Sequence, residues 1–273
     1  MNPYQSPERL PPGDKIPFRD GVATSKPKLQ LVEWAAAGVL VVILAALWMN
    51  SVGSARSPGL RKNCRNQMKQ IVIALHNYHD DFGRFPPAVV YDSYGRAAHS
   101  WRVLLLPYMD SGEIYHRYRF DEPWNGPNNR LLSDFIPDVY QCPAYKERFS
   151  AIPSVHPVVD RLTNYVLICG PDCLFDGDRA PQISSVTDGT ASTIMLADVQ
   201  DRAVHWMEPR DITPSELLTE LRSTHSGRGE GHNRGMSVGF VDGSVRTILH
   251  DTPEAELEAL TTICLSDSTE FDF

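Results

Sequence analysis

HNRGMSVGFVDGSV, residues 232–245, sets a histidine ten residues ahead of an aspartate–glycine pair. A histidine and a carboxylate share a proton only when they meet within about 3 Å. Residues 236–241 alternate in the manner of a strand, and at ~3.3 Å per residue that strand spans ~20 Å. His232 and Asp242 then sit at opposite ends, so a catalytic pair is geometrically poor. The stretch reads as a turn. Asp242-Gly243 predicts a two-residue type I′ hairpin, whose central residues both need positive φ. Val241 would then face Ser244, Phe240 face Val245 and Val238 face Thr247. Met236, Val238, Phe240, Val245 and Leu249 would line one face of the hairpin. His232 keeps a second option, a loop site shared with His225 or Glu230.

Other groups invite chemistry more weakly. His76, Asn77, Tyr78, His79, Asp80 and Asp81 bunch near a helix end, where capping and packing account for them better than a metal does. Asp172, Asp176 and Asp178 in GPDCLFDGDRA offer hard oxygen ligands on a glycine-containing loop. Calcium wants six to eight such ligands, so the bland reading is a solvated turn and the sharper one a calcium loop. Cys169-x3-Cys173 lacks zinc-finger spacing, and a disulfide or buried thiols suit the five cysteines better. Trp101, Trp124 and Trp206 read first as packing anchors. Should the body capture a small solute or glycan, Trp101, Trp206, His225 and His232 are the binding candidates. There is no G-x-S-x-G elbow, phosphate loop or dinucleotide fingerprint. No catalytic residue and no cofactor other than calcium is expected, and the chain does not read as an enzyme.

The elements that must position these groups begin with residues 31–49, LVEWAAAGVLVVILAALWM, whose one charge is Glu33. At 1.5 Å per residue such a helix is ~28 Å long, close to the ~30 Å bilayer core, and predicts a membrane helix in contact with lipid. The Pro-rich residues 1–28 read as a disordered cytoplasmic tail. Lysines and arginines flank the apolar segment on both sides, so charge alone does not orient it. Ser57-Pro58-Gly59 should kink or fray the helix. Leu60, Cys64, Met68, Ile71, Leu75 and Tyr78 then recur at helical spacing, with Arg61, Lys62, Arg65, Asn66 and Lys69 turned away. That helix should end near Gly83, before Pro86-Pro87.

Beyond it the signals are mixed. A short helix and then a strand are expected over 130–140, with strands at 163–169 and after the turn at 187–190. Thr213-Pro214 and Thr252-Pro253 should each open a helix, with threonine as cap and proline as first residue. The body is acidic: residues 50–273 hold 21 Lys/Arg against 30 Asp/Glu. This argues against nucleic acid, whose phosphates call for basic surface.

Several stretches carry a family resemblance. They are NCRNQMKQIVIALHNYHDDFGRFPPA (63–88), SWRVLLLPYMDSGEIYHRYRFDEPWNGPNNRLL (100–132), VYQCP (139–143), DGTASTIMLADV (188–199), HWMEP (205–209), and His232 followed after nine residues by Asp242-Gly243. In this order they resemble the domain-of-unknown-function 1559 family, bacterial proteins with a prepilin-type N-terminal segment and an H-x9-DG motif, also labelled solute-binding. The resemblance implies an α+β, pseudopilin-like fold in four parts. These are the tail (1–28), a transmembrane helix (29–50), an amphipathic stalk helix (56–83) and a head with an antiparallel sheet (84–273). It also implies a single pass through the bacterial inner membrane, with the tail cytoplasmic and the head outside. Glu33 takes the place of the pilin glutamate, which pairs with a neighbouring subunit's amino terminus, so pilin-like or other envelope subunits are the implied partners. Lys28 stands where the prepilin peptidase prefers glycine, and Leu29, Gln30 and Trp34 also depart from the pattern. An unprocessed, single-pass protein is therefore expected. The rival is a membrane-tethered module that binds a small solute or glycan.

Overall fold

A computed structural model of the chain describes residues 27–149, 156–223 and 235–264, with side-chain placements for 34–44, 59–149, 158–223 and 235–264. The chain divides into two compact units after Ser51. Helix α1 runs over Pro27–Phe82, 56 residues, and passes Ser57-Pro58-Gly59 without ending. The helix does not end there, since a proline inside a long helix removes a single backbone hydrogen bond and can be taken up as a bend. In the first unit Trp34 and the run from Val39 to Leu44 are exposed apolar side chains. Among the described residues no helix is long and apolar enough to cross a membrane. The segment 31–49 extends beyond the described side chains at both ends.

The second unit is α+β. Its main sheet has four antiparallel strands in the order β4-β5-β7-β8, with β4 Tyr165–Leu167, β5 Ile194–Asp198, β7 Gly235–Phe240 and β8 Val245–Leu249. One face packs on Cys64, Met68, Ile71, Val72 and Leu75 of α1, through Tyr165, Leu167, Met195 and Leu196. The other face carries Val166, Ile194, Met236, Val238 and Phe240, covered by Leu217 and Leu221 of α6 (Pro214–Ser223) and Leu257 and Leu260 of α7 (Glu254–Thr261). Helix, sheet and helix pair make three layers, and β5 and β7 are buried along their whole length. This is why these strands read as continuous apolar or small-residue runs.

Two smaller antiparallel pairs flank this sheet: β1 (Val89–Tyr91) with β2 (Ala97–Ser100), and β3 (Leu162–Thr163) with β6 (Val204–His205). Short helices α2 (Trp101–Leu104), α3 (Gly112–Arg117), α4 (Pro143–Phe149) and α5 (His156–Val159) fill the connections. No strand enters Cys142. Residues 129–140 form two 3-10 turns, Asn129–Leu132 and Asp138–Tyr140. Tyr140 is held there by its hydroxyl, which donates to the Arg102 carbonyl at 2.9 Å. Helix α6 begins at Pro214 behind a reciprocal cap: Glu216 N donates to Thr213 Oγ1 at 3.3 Å, and Thr213 N donates to Glu216 Oε2 at 3.0 Å. Helix α7 begins one residue later than expected, with Pro253 itself as the cap.

The hairpin at Asp242-Gly243 forms in a different register. Gly239 pairs with Val245, Val238 with Arg246 and Met236 with Ile248. Gly243 N donates to the Phe240 carbonyl at 3.0 Å, and of the two turn residues only Gly243 takes positive φ, +87°. This is a tight turn over Phe240–Gly243 with a left-handed glycine bulge, not the two-residue I′ turn. The extra loop residue flips β8, so that Ile248 is buried and Leu249 exposed. In this register Val245 packs toward the α1 side of the sheet and Ile248 enters the core on the other side, while on β7 Gly239 faces α1, where a Cβ would lie 2.8 Å from Val72 Cγ2.

Candidate functional site

The structure disperses most of the expected site residues. Trp101 and Trp206 are both 0% exposed. The Trp101 indole donates to the Asp211 carboxylate at 3.1 Å, and that of Trp206 to the Ser133 carbonyl at 3.0 Å. Neither rims an open groove, because each has its polar edge paired inside the core. Asp172, Asp176 and Asp178 are each exposed. They do not converge as a ligand set. Among the described residues the convergent group of metal-type donors is a different one. The loop instead closes on itself, with Arg179 N donating to the Asp176 carbonyl at 3.0 Å. His76 and His79 both pack against the ring of Phe85, at 5.5 and 4.9 Å between centroids. The Tyr108 hydroxyl donates to Asp81. His225 and His232 lie outside the described residues, as does the side chain of Glu33.

Three other arrangements come together. The first is a half-open cleft of about 720 Å³ between α1 and the β7–β8 edge of the sheet. Arg61, Lys62, Arg65 and Lys69 line it from the helix, and Ser237, Thr247 and Leu249 from the strands. Spacings of one, three and four residues put the four cations along one stripe of the helix, beside the stripe of Cys64 and Met68 that enters the core. Arg65 donates to the Val245 carbonyl at 3.2 Å, and Lys69 to the Gly243 carbonyl. Among the described residues none of the four has a carboxylate partner. On an acidic body this is a concentrated anion-binding surface, suited to carboxylates or phosphates. The alternation of polar and apolar residues in α1 carried that signal, but the opposing wall comes from residues 235–249 and needed the fold.

The second is a smaller pocket of about 440 Å³ beside the β1–β2 hairpin, lined by Tyr91, Tyr94, His99 and Phe120 with Asp92, Arg96 and Glu122. His99 Nδ1 lies 2.9 Å from the Tyr118 hydroxyl. Burial pushes the His99 imidazole below its usual value and pushes the Tyr118 phenol far up. Both therefore stay neutral near pH 7. The pocket offers aromatic faces from Tyr91, Tyr94 and Phe120, with the charged Asp92, Arg96 and Glu122 at its wall.

The third lies in the interior. Arg102 and Asp211, 0% and 2% exposed at their side chains, meet at 2.8 Å. Arg102 also donates to the Tyr165 carbonyl at 2.9 Å, while Asp211 accepts from Leu167 N at 2.8 Å and from Trp101. Burial pushes the Asp211 carboxyl up, and the Arg102 charge opposes it. With every polar atom turned inward, this network is structural. None of the five cysteines is bonded to another, and Cys64, Cys142 and Cys173 are buried. Burial lifts the Cys173 thiol to about 12, with Asp172 and Asp176 adding to it, which makes it a poor nucleophile.

Comparison with known proteins gives one match. The sequence model of a family described as "Protein of unknown function (DUF1559)", which carries a solute-binding-protein label, matches residues 53–220, well over half of the chain. The match begins inside α1 and ends inside α6, so it takes in the cations of the first cleft and the whole of the second pocket. Searches of curated proteins and of solved structures found no match.

Proposed function

The chain belongs to the DUF1559 family, and from that premise we propose that it is a membrane-anchored, pseudopilin-like protein of the bacterial envelope, structural or interactive in role and not an enzyme. The observation that carries this reading is the division of labour along α1. Its first part presents exposed Trp34 and the apolar run from Val39 to Leu44, whereas Cys64, Met68, Ile71, Val72 and Leu75 further along form one wall of the head's core. A soluble protein gains nothing from such an apolar stretch in water, and burying it in lipid or against like helices removes the cost. In this reading residues 31–49 cross the inner membrane once, the tail is cytoplasmic and the head lies outside. Glu33 is then the assembly contact within the membrane. Outside it, the basic cleft of one copy takes the acidic surface of the next. Such a contact is heterologous, so it joins copies head to tail, as a ring or an open filament, instead of as a two-fold dimer.

Crosslinking full-length protein in native membranes tests this. Ladders of oligomers that vanish with Glu33→Ala, and weaken when Arg61 and Lys62 are both made glutamate, are expected. A monomer under all conditions would overturn assembly. It would favour the second reading, a tethered solute-binding module, for which the specific observation is the aromatic pocket at Tyr91, Tyr94 and Phe120. Quenching of protein fluorescence by small sugars, lost in Tyr94→Ala, would then be its signature.

A further inference from the structure

Cys64 lies on α1, Cys142 just ahead of α4 and Asp198 at the end of β5, yet their sulfur and carboxylate atoms all fall within 4.8 Å of one another. All three residues are buried, to 0%, 1% and 1% exposure. We infer that this cluster is a structural zinc site that clasps helix α1 to the head. Two thiolates and a carboxylate are a donor set suited to zinc: the sulfurs disfavour calcium and magnesium, and the oxygen disfavours purely soft metals.

The geometry fits. With zinc–sulfur bonds of about 2.3 Å and zinc–oxygen bonds of about 2.0–2.2 Å, neighbouring donors of a tetrahedron stand roughly 3.5–3.8 Å apart. Cys142 Sγ and Asp198 Oδ2 are 3.7 Å apart. The carboxylate is held from behind, as metal-binding carboxylates are: the Gln200 amide donates to its other oxygen, Oδ1, at 2.9 Å. Tyr165 pairs with Asp198 across β4 and β5. Its hydroxyl reaches the Cys64 carbonyl at 3.0 Å and Gln67 Oε1 at 3.1 Å. Binding deprotonates both thiols and releases two protons per ion, so affinity falls steeply in acid. The clasp joins three elements distant in sequence, and loading it stabilises the head relative to the unfolded chain. None of this depends on the membrane or assembly reading.

The test is zinc content and zinc-edge X-ray absorption on the full-length protein, purified in detergent after growth with added zinc. About one zinc per chain is expected, with two sulfurs at about 2.3 Å and the rest oxygen. Gln200→Ala keeps all three donors and should weaken zinc by about 10–100-fold in competition with a chelating dye. Cys142→Ser should remove one sulfur from the shell. Should that variant fail to fold, the wild-type spectrum and Gln200→Ala still decide. A chain without zinc overturns the inference, whether mass spectrometry of a non-reduced digest finds Cys64 and Cys142 as thiols or joined as a disulfide. Zinc that keeps two sulfurs after Cys142→Ser overturns it as well, because the metal would then sit at Cys169 and Cys173.

Discussion

Replacing Arg102 by leucine keeps a long apolar side chain and removes one charge from the interior. Arg102 spans three parts of the head: it donates to the Tyr165 carbonyl on β4, to Ser100 Oγ at 3.0 Å and to Asp211 at 2.8 Å, while stacking on Trp101 at 4.6 Å. Without it the Asp211 carboxylate stays buried, with Leu167 N and the Trp101 indole as donors but no opposite charge. Breaking a buried pair from one side costs about 3–5 kcal/mol, a large share of the ~5–15 kcal/mol that holds a typical domain together. The cost should depend on pH. Burial already raises the folded carboxyl's pKa above its usual value, and the Arg102 charge is the strongest influence opposing it. In the variant that pKa rises further. Above the unfolded value of about 3.9 the folded state must then hold either a proton or an unpaired charge. A raised carboxyl pKa contributes stability that is lost as pH rises, so the penalty is greatest near neutrality and shrinks on acidification. Urea unfolding of wild type and variant in detergent, followed by tryptophan fluorescence at about pH 7 and about pH 5, measures it. A loss under about 1 kcal/mol, or the same loss at both pH values, would refute the account of a dry, charge-dependent pair.

Two further predictions rest on other contacts. Burial, and then the charge of Arg161, push the His205 imidazole down to about 4 from an ordinary 6.5, and its Nδ1 accepts from Met207 N at 3.3 Å. The unfolded chain takes up a proton between those two values and the native chain does not. Stability from His205 is therefore present above about 6.5 and lost as pH falls toward 4, and His205→Gln should flatten that part of the pH–stability curve. His76 and His99, also lowered by burial, would leave a residual slope, so the difference between the two curves is the readout. Gly239→Ala forces a methyl group against Val72 Cγ2 and within 3.4 Å of Leu196 Cβ. Overpacking of this kind costs about 1–3 kcal/mol, and Val72→Ala should recover most of it in a double-mutant cycle. Strictly additive losses would show that Gly239 is not where α1 meets the sheet.

What could be read without the fold is what local physics decides. The face of α1 through Cys64, Met68, Ile71 and Leu75 is visible because helical periodicity repeats within a few residues. The start of α6 is visible because Thr213, Pro214 and Glu216 cap their own helix. Strand β5 shows as an unbroken buried run, and the landmark stretches, read in order, lead to the family. The errors also have local causes. Asp-Gly favours more than one kind of hairpin turn, and the extra loop residue puts Val245 on the α1 side of the sheet and Ile248 in the core on the other side. Trp101 and Trp206 read first as packing anchors and are buried, but sequence does not record that Asp211 and Ser133 take their indole protons, which removes them from the binding candidates.

The residues that the fold brings together stand far apart along the chain. The basic cleft walled by residues 61–69 and 235–249 and the group of Cys64, Cys142 and Asp198 depend on α1 meeting the sheet, and the Arg102–Asp211 pair on α2 and the segment before α6 meeting β4. No local pattern encodes such meetings, because their free energy exists only once the intervening chain has been ordered. By itself the sequence determined the helix that makes this protein recognisable, through the apolar periodicity written along it. Only the tertiary structure decided which of its buried polar groups became neighbours.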